Sequence, residues 1–215
     1  MKKENFKIQG GYTIIETMIA ISLFIVIIMA GMGALLNANS VHNKSQDTMS
    51  ILDSLNFVMD EMSTNLRTGY NYNCVKRGPG LPANISATQD CSSSEGIGVA
   101  FEEENGDLYR GSPPTLYNDD QWIYYIRNTE EEDSSGNAIY GIFKSINGTD
   151  SGAFQLTPSE VHINPDESYF VVSGAGSSDT DQPFVTVKLV GEIVYKDTTT
   201  PFSLRTSVSQ RNIDI

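Results

Sequence analysis

The strongest pattern along the chain is an apolar stretch close to its N-terminus. Residues 14–36 span 23 positions, and the only clearly polar ones are Glu16, Thr17 and Ser22. A helix of this length, rising about 1.5 Å per residue, can cross a hydrocarbon core of about 30 Å. The stretch is too long for a signal-peptide core of about 7–15 residues, and only a weak cleavage site follows it. The pattern therefore predicts a membrane-spanning helix over residues 12–36.

A narrower apolar stripe follows the apolar stretch. Residues Leu52, Leu55, Met59, Met62 and Leu66 recur at spacings of three and four, which is typical of a helix with one buried face. No proline lies between Tyr12 and Leu66. We therefore expect a continuous helix of about 80 Å. Its amphipathic half, residues 37–68, is predicted to pack against a sheet.

The chain changes character after Thr68. Residues 69–96 are rich in Gly and Pro and predict an irregular region. Runs of β-branched and aromatic residues then predict strands, most clearly at 121–127, 139–145, 169–173, 184–195 and 202–210, and more weakly at 97–101. Turns at 130–137 and 197–201 are expected to join neighbouring strands. The predicted fold class is α+β, a long helix packed on a mostly antiparallel sheet, with residues 69–215 as an acidic, β-rich head.

The short N-terminal leader is basic, whereas the rest of the chain is acidic. The net charge is −13, and without residues 1–11 the chain keeps 11 basic and 26 acidic side chains, a net charge of −15. Nucleic-acid binding is disfavoured, because its affinity comes largely from cations that neutralise phosphates. The short leader at residues 1–11 carries Lys2, Lys3 and Lys7. Positively charged residues that flank a membrane helix tend to remain on the cytoplasmic side. We therefore expect a single-pass protein with a cytoplasmic N-terminus and an extracytoplasmic head.

Cys74 and Cys91 are the only cysteines, and both belong to the predicted exported head. An even pair in an exported segment favours a disulfide, and two free thiols are the alternative. Two cysteines without a nearby histidine make a poor zinc site.

Catalytic patterns are scarce. The two histidines, His42 and His162, stand apart, and no nucleophile elbow, zinc-protease motif or phosphate loop occurs. We therefore expect a protein that is not an enzyme and needs no cofactor. Asp179 and Asp181 are weak candidate calcium ligands, although a plain acidic turn is the favoured interpretation.

The start of the apolar stretch resembles a known processing signal. A basic leader ends at Gly11, followed by Tyr12, Thr13, an aliphatic pair and Glu16. This order resembles the class III signal of type IV pilins and type II secretion pseudopilins, where Phe usually stands in the place of Tyr12. The resemblance covers roughly residues 1–45. It implies a pilin-like lollipop fold, cleavage by prepilin peptidase between Gly11 and Tyr12, and N-methylation of Tyr12.

The resemblance also implies a role for the carboxylate of Glu16. Thr13 and Glu16 have capping-box spacing, so Glu16 has a structural interpretation at the start of a helix. A charge beside lipid is costly unless it is paired, and this cost favours a functional interpretation of Glu16. In the family its partner is the N-terminal ammonium of a neighbouring subunit, so Glu16, with Thr13 as a cap, is expected to serve subunit assembly.

The function expected from the resemblance is that of a structural subunit of a type IV pilus or a periplasmic pseudopilus. Its partners would be prepilin peptidase, other pilin or pseudopilin subunits, the inner-membrane assembly platform and the lipid bilayer. The chain is longer than a typical major pilin, and residues 206–212 resemble the last strand of many minor prepilin-like proteins. The chain is therefore most like a minor pilin or a J-type minor pseudopilin. A signal-anchored extracytoplasmic binding protein or adhesin that never polymerises is the alternative.

Overall fold

The computed structural model describes residues 11–78, 81, 88–104, 121–176, 181–196 and 198–211. The chain divides into two compact units between Asp47 and Thr48. The first unit contains the apolar part of the helix, and the second, here called the larger unit, contains all the strands of the described residues.

One helix, α1, runs from Ile14 to Thr68. It begins where the predicted apolar stretch begins and ends one residue before Gly69, where a Cβ would stand 2.3 Å from the Phe101 ring. All residues from Gly11 to Asn43 are exposed. Within the larger unit, Leu55, Met59, Met62 and Leu66 of the predicted stripe are buried and Leu52 is partly buried, while Val58, outside the prediction, is buried with them.

The first sheet contains five antiparallel strands in the order of the sequence. The strands are β1 (Tyr70–Lys76), β2 (Gly96–Glu102), β3 (Gln121–Glu132), β4 (Ala138–Ser145) and β5 (Phe154–Gln155). Side chains alternate between its two faces. Phe101, Tyr124 and Ile142 face the core that contains the helix stripe, whereas Ile123 and Tyr125 belong to a second, smaller apolar cluster.

The second sheet is built on a long central strand. Its strands are β6 (Val161–Ile163), β7 (Tyr169–Ser173), β8 (Phe184–Tyr195) and β9 (Thr198–Ser209). β9 pairs with β8 along its whole length, so β6 and β7 lie end to end on the other edge of β8. Both sheets contribute to the core around the helix stripe, with Val187 and Leu189 of β8 fully buried in it. The α+β class predicted from the sequence is confirmed.

The predicted strands are present, but β5 and β6 were not predicted, and β3 extends to Glu132, into the turn predicted at 130–137. Two further predictions need correction. β7 and β8 have the predicted bounds, but the region 69–96 is not wholly irregular, because β1 occupies residues 70–76. β1 was not predicted because Tyr and Asn alternate in it, and Asn is depleted in strands. The link predicted at 197–201 is also wrong, because Thr198 pairs with Tyr195 and Pro201 with Glu192. Proline is tolerated there because β9 is an outer strand, where a missing N–H can face away from the partner.

Candidate functional site

The predicted processing junction lies immediately before the helix. Gly11, Tyr12 and Thr13 precede α1, and Tyr12 is 81% exposed. The Thr13 hydroxyl accepts a hydrogen bond from the Glu16 amide at 3.3 Å, and the Thr13 carbonyl accepts one from the Thr17 amide at 3.2 Å. The expected threonine cap is therefore present, and it satisfies one of the free amides of the first turn. Residues 1–10 of the predicted leader lie outside the described residues.

The hydroxyl groups of the apolar segment are bonded within the helix. Thr17 donates to the carbonyl of Ile14 at 2.8 Å, and Ser22 donates to the carbonyl of Met18 at 2.7 Å. Such bonds remove polar groups from contact with an apolar solvent. Glu16 carries the one charge in the exposed segment from Ile14 to Leu36. Among the described residues, α1 is the helix long and apolar enough to cross a membrane, which is compatible with a single-pass anchor.

An ion pair between a buried lysine and a partly buried glutamate joins the second half of α1 to the first sheet. Lys144 Nζ lies 2.7 Å from Glu61 Oε1, and Lys144 is 7% exposed. The same ammonium group lies 3.9 Å from the centre of the Trp122 ring and 5.5 Å from that of Tyr124. Cation–π contacts of this kind partly replace the lost hydration of the charge. Trp122 and Tyr124 share a face of β3 because side chains alternate along a strand, but the sequence carried no signal that Lys144 and Glu61 would meet.

Further hydrogen bonds hold the same segment of α1. Asn65 Nδ2 donates to the Tyr124 hydroxyl at 2.7 Å, and the hydroxyls of Ser63 and Thr206 lie 3.5 Å apart. The Tyr72 hydroxyl also anchors the helix end, because its single proton is shared between the carbonyls of Leu66 and Gly69. The helix stripe is therefore attached to both sheets by polar contacts as well as by apolar packing.

Alkaline pH is expected to destabilise the larger unit through Tyr124. Burial raises the pKa of Tyr124 well above its usual value of about 10, with the charge of Glu61 adding to the rise and the Asn65 bond opposing it. The folded state keeps the phenol proton where the unfolded chain loses it, so the free energy of unfolding falls as pH rises above about 10. Tyr124→Phe should flatten this fall, as measured by urea unfolding between neutral pH and about pH 11. Superimposable pH profiles for the variant and the unaltered chain would contradict the prediction.

Cys74 and Cys91 form a disulfide with Cα atoms 5.8 Å apart, as the cysteine pattern predicted. The bond fastens a short segment, residues 89–91, that connects the two sheets. Gln89 bridges to Asn73 of β1, and Cys91 bridges to Val172 of β7. We call residues 89–91, which join the edges of the two sheets, the inter-sheet strap.

Two neighbouring features support the inter-sheet strap. The Asp90 carboxylate accepts hydrogen bonds from the amides of Gly174 at 3.2 Å and Ala175 at 2.9 Å, just after β7 ends. Gly96 lies where the carbonyl oxygen of Phe170 approaches so closely that a Cβ would stand 2.0 Å from it. The close approach of β2 to β7 beside the inter-sheet strap therefore needs glycine at position 96.

The weak calcium candidates Asp179 and Asp181 are not brought together in the part of the chain that the structure describes. Asp179 lies outside the described residues, and Asp181 is exposed just before β8. The part of the chain that the structure describes contains no group of three His, Cys, Asp or Glu side chains able to hold a metal ion. His162 instead lines an open cleft of about 500 Å³ between the β3–β4 hairpin and the second sheet, together with Asp133, Tyr140, Glu167 and Glu192.

Comparison of the chain with models of known protein families, with curated proteins and with solved structures finds no match.

Proposed function

We propose that this protein is a prepilin-type structural subunit, processed after Gly11 and assembled through α1 into a type IV pilus or pseudopilus as a minor component. The proposal is carried by the junction of Gly11, Tyr12, Thr13 and Glu16, placed immediately before an exposed apolar helix. A filament subunit of this kind works mechanically, by packing its helix among those of its neighbours. Its acidic head faces the aqueous side, and the leader lies in the cytoplasm.

The geometry of the junction suits such a role in three respects. Gly11 and Tyr12 are exposed and outside the helix, so a protease can reach the peptide bond between them. Cutting there would leave the new ammonium of Tyr12 one residue before the capping Thr13. Glu16 lies in the first helical turn, where a carboxylate is favoured by the helix dipole and remains available to pair with an ammonium of a neighbouring chain.

The attachment of the helix to the head supports a subunit that transmits mechanical force. Glu61 and Asn65 bind Lys144 and Tyr124 of the first sheet, so the second half of the helix is bonded to the head as well as packed against it. The pilin-like fold that we propose places this bonded segment outside the membrane. A pull on the helix would then pass directly into the sheets.

Mass spectrometry of the N-terminus tests the proposal. Protein is taken from sheared filaments and from membranes of cells that have an active prepilin peptidase, and of cells in which that enzyme is inactivated. We expect a chain that begins at Tyr12 with one added methyl group in both fractions of the active cells. The leader should persist, in membranes alone, when the peptidase is inactive. A leader retained in active cells would overturn the proposal and favour a signal-anchored binding protein.

A further inference from the structure

Exposed apolar side chains neighbour both members of the Glu61–Lys144 ion pair, by helical spacing on α1 and by register in the first sheet. Phe57, one helical turn before Glu61, is 69% exposed. Phe154 is the cross-strand partner of Lys144 and is 47% exposed, and Ile146, immediately after β4, is 46% exposed. We call Phe57, Ile146 and Phe154 the flanking patch.

Packing inside the chain does not account for Phe57. The buried stripe of α1 lies on the opposite side of the helix, and the neighbours of Phe57 on its own side are polar: Asp53, Asn56, Asp60 and Thr64, all exposed. A single exposed apolar residue needs no explanation, but several around one fixed point mark an interaction surface. Glu61 and Lys144 supply that fixed point, because their contact holds the helix and β4 together.

The surroundings of the flanking patch decide the charge of its partner. Asp53 and Asp60 lie four residues before and three residues after Phe57, so both carboxylates border the ring. Glu61, in contrast, is paired with Lys144. A second copy of this chain, with its net charge of −13, would bring more carboxylates to the contact. Like charges brought together at an interface are unfavourable, whereas a basic rim is complementary.

We propose that the flanking patch binds a different protein chain, one that offers apolar side chains bordered by Lys or Arg. This inference rests on the proposed function, in which that chain is a neighbouring subunit of the same filament. The aromatic rings fill the centre of the contact, and Asp53 and Asp60 pair with the basic rim. Self-contact through this surface is disfavoured, so the protein occupies isolated positions among other subunits.

Matched substitutions test the contribution of the patch. Phe57→Ser and Phe154→Ser each remove an exposed ring outside the core, and Phe184→Ser removes a similar ring, 41% exposed, from the second sheet. We expect the first two variants to fall at least about tenfold in sheared filaments, the size of a modest interface hot spot. Their membrane levels and processing at Tyr12 should be unchanged, and Phe184→Ser should assemble normally. Equal incorporation of all three variants would overturn the proposal.

Photo-cross-linking identifies the partner. A benzophenone amino acid replaces Phe57 in the full-length chain, and the cells are illuminated. A product that joins position 57 to a different chain, within a segment of net positive charge, supports the proposal, and Asp53→Lys with Asp60→Lys should lower its yield. A product of two copies of this chain, an unchanged yield in the charge-reversed variant, or no product would each overturn it.

The two proposals fail in different ways. A product formed in membranes by a chain that keeps its leader would support the contact and refute the filament role. A processed chain that is present in sheared filaments but gives no product would leave the filament role standing and refute the contact.

Discussion

Glu16→Ala is expected to enter the membrane and lose its leader like the unaltered chain, yet to fall at least about tenfold in sheared filaments. In a medium of low dielectric, a carboxylate gains much from an ammonium held nearby and is costly without one. Glu16 is exposed in the first turn of α1, so nothing in the described part of its own chain hides the charge from a neighbour. In the proposed assembly, removal of the charge would leave the Tyr12 ammonium of a neighbouring subunit unpaired, and the contact proposed to set the axial spacing would be lost.

Two further variants separate charge from shape. Glu16→Gln keeps the size and hydrogen-bonding capacity of the side chain, so it should show the same defect if charge pairing matters. Thr17→Val removes a hydroxyl that donates to the carbonyl of Ile14 within its own helix, and it should assemble normally. The measurement is the ratio of the subunit in the sheared fraction to that in the membrane. Normal incorporation of Glu16→Ala would refute the pairing and leave Glu16 as part of a helix start.

Replacement of both Cys74 and Cys91 by Ser is expected to lower the free energy of unfolding of the larger unit by about 3 kcal/mol. The cysteines are 17 positions apart, so reduction frees a loop of moderate length in the unfolded chain. The disulfide also fastens the inter-sheet strap, and its loss leaves the β1–β7 connection to backbone bonds and to Asp90. The effect should therefore extend to both sheets.

Urea unfolding of the detergent-solubilised full chain measures this effect. Trp122 is the only tryptophan and lies in the first sheet against Lys144, so its fluorescence follows the larger unit. The double Ser variant should unfold at lower urea, and a reductant should bring the unaltered chain to the same midpoint. The reductant should have no effect on the double variant, and Ser92→Ala, an exposed neighbour, should leave the midpoint in place. A midpoint that is insensitive to reductant in every sample would contradict the prediction.

Local patterns predicted much of the fold. The helix was predictable because burial of one face requires apolar residues at its own period, and Leu55, Met59, Met62 and Leu66 supply that period. β7 and β8 were predictable because Val, Ile and aromatic residues cluster in them. β1 was missed because its Asn residues have low strand propensity, and only pairing with β2 on one edge and the inter-sheet strap on the other stabilises them in a strand.

Local sequence patterns could not predict contacts between distant segments of the chain. Glu61 and Lys144 are 83 residues apart, and no periodicity relates them. The residues of the flanking patch are likewise brought around that pair by the sheet register and by the packing of α1, although each looks ordinary in its own segment.

The sequence by itself determined the long apolar helix, because membrane-spanning length is a property of consecutive residues, and it supplied the motif on which the proposed processing rests. It also determined the cysteine pair, since only two are present. The tertiary structure alone decided how the inter-sheet strap joins the sheets and where the charged and apolar groups of the larger unit meet. The physical reason is that burial and pairing depend on which surfaces pack together, and that choice is made by the whole chain.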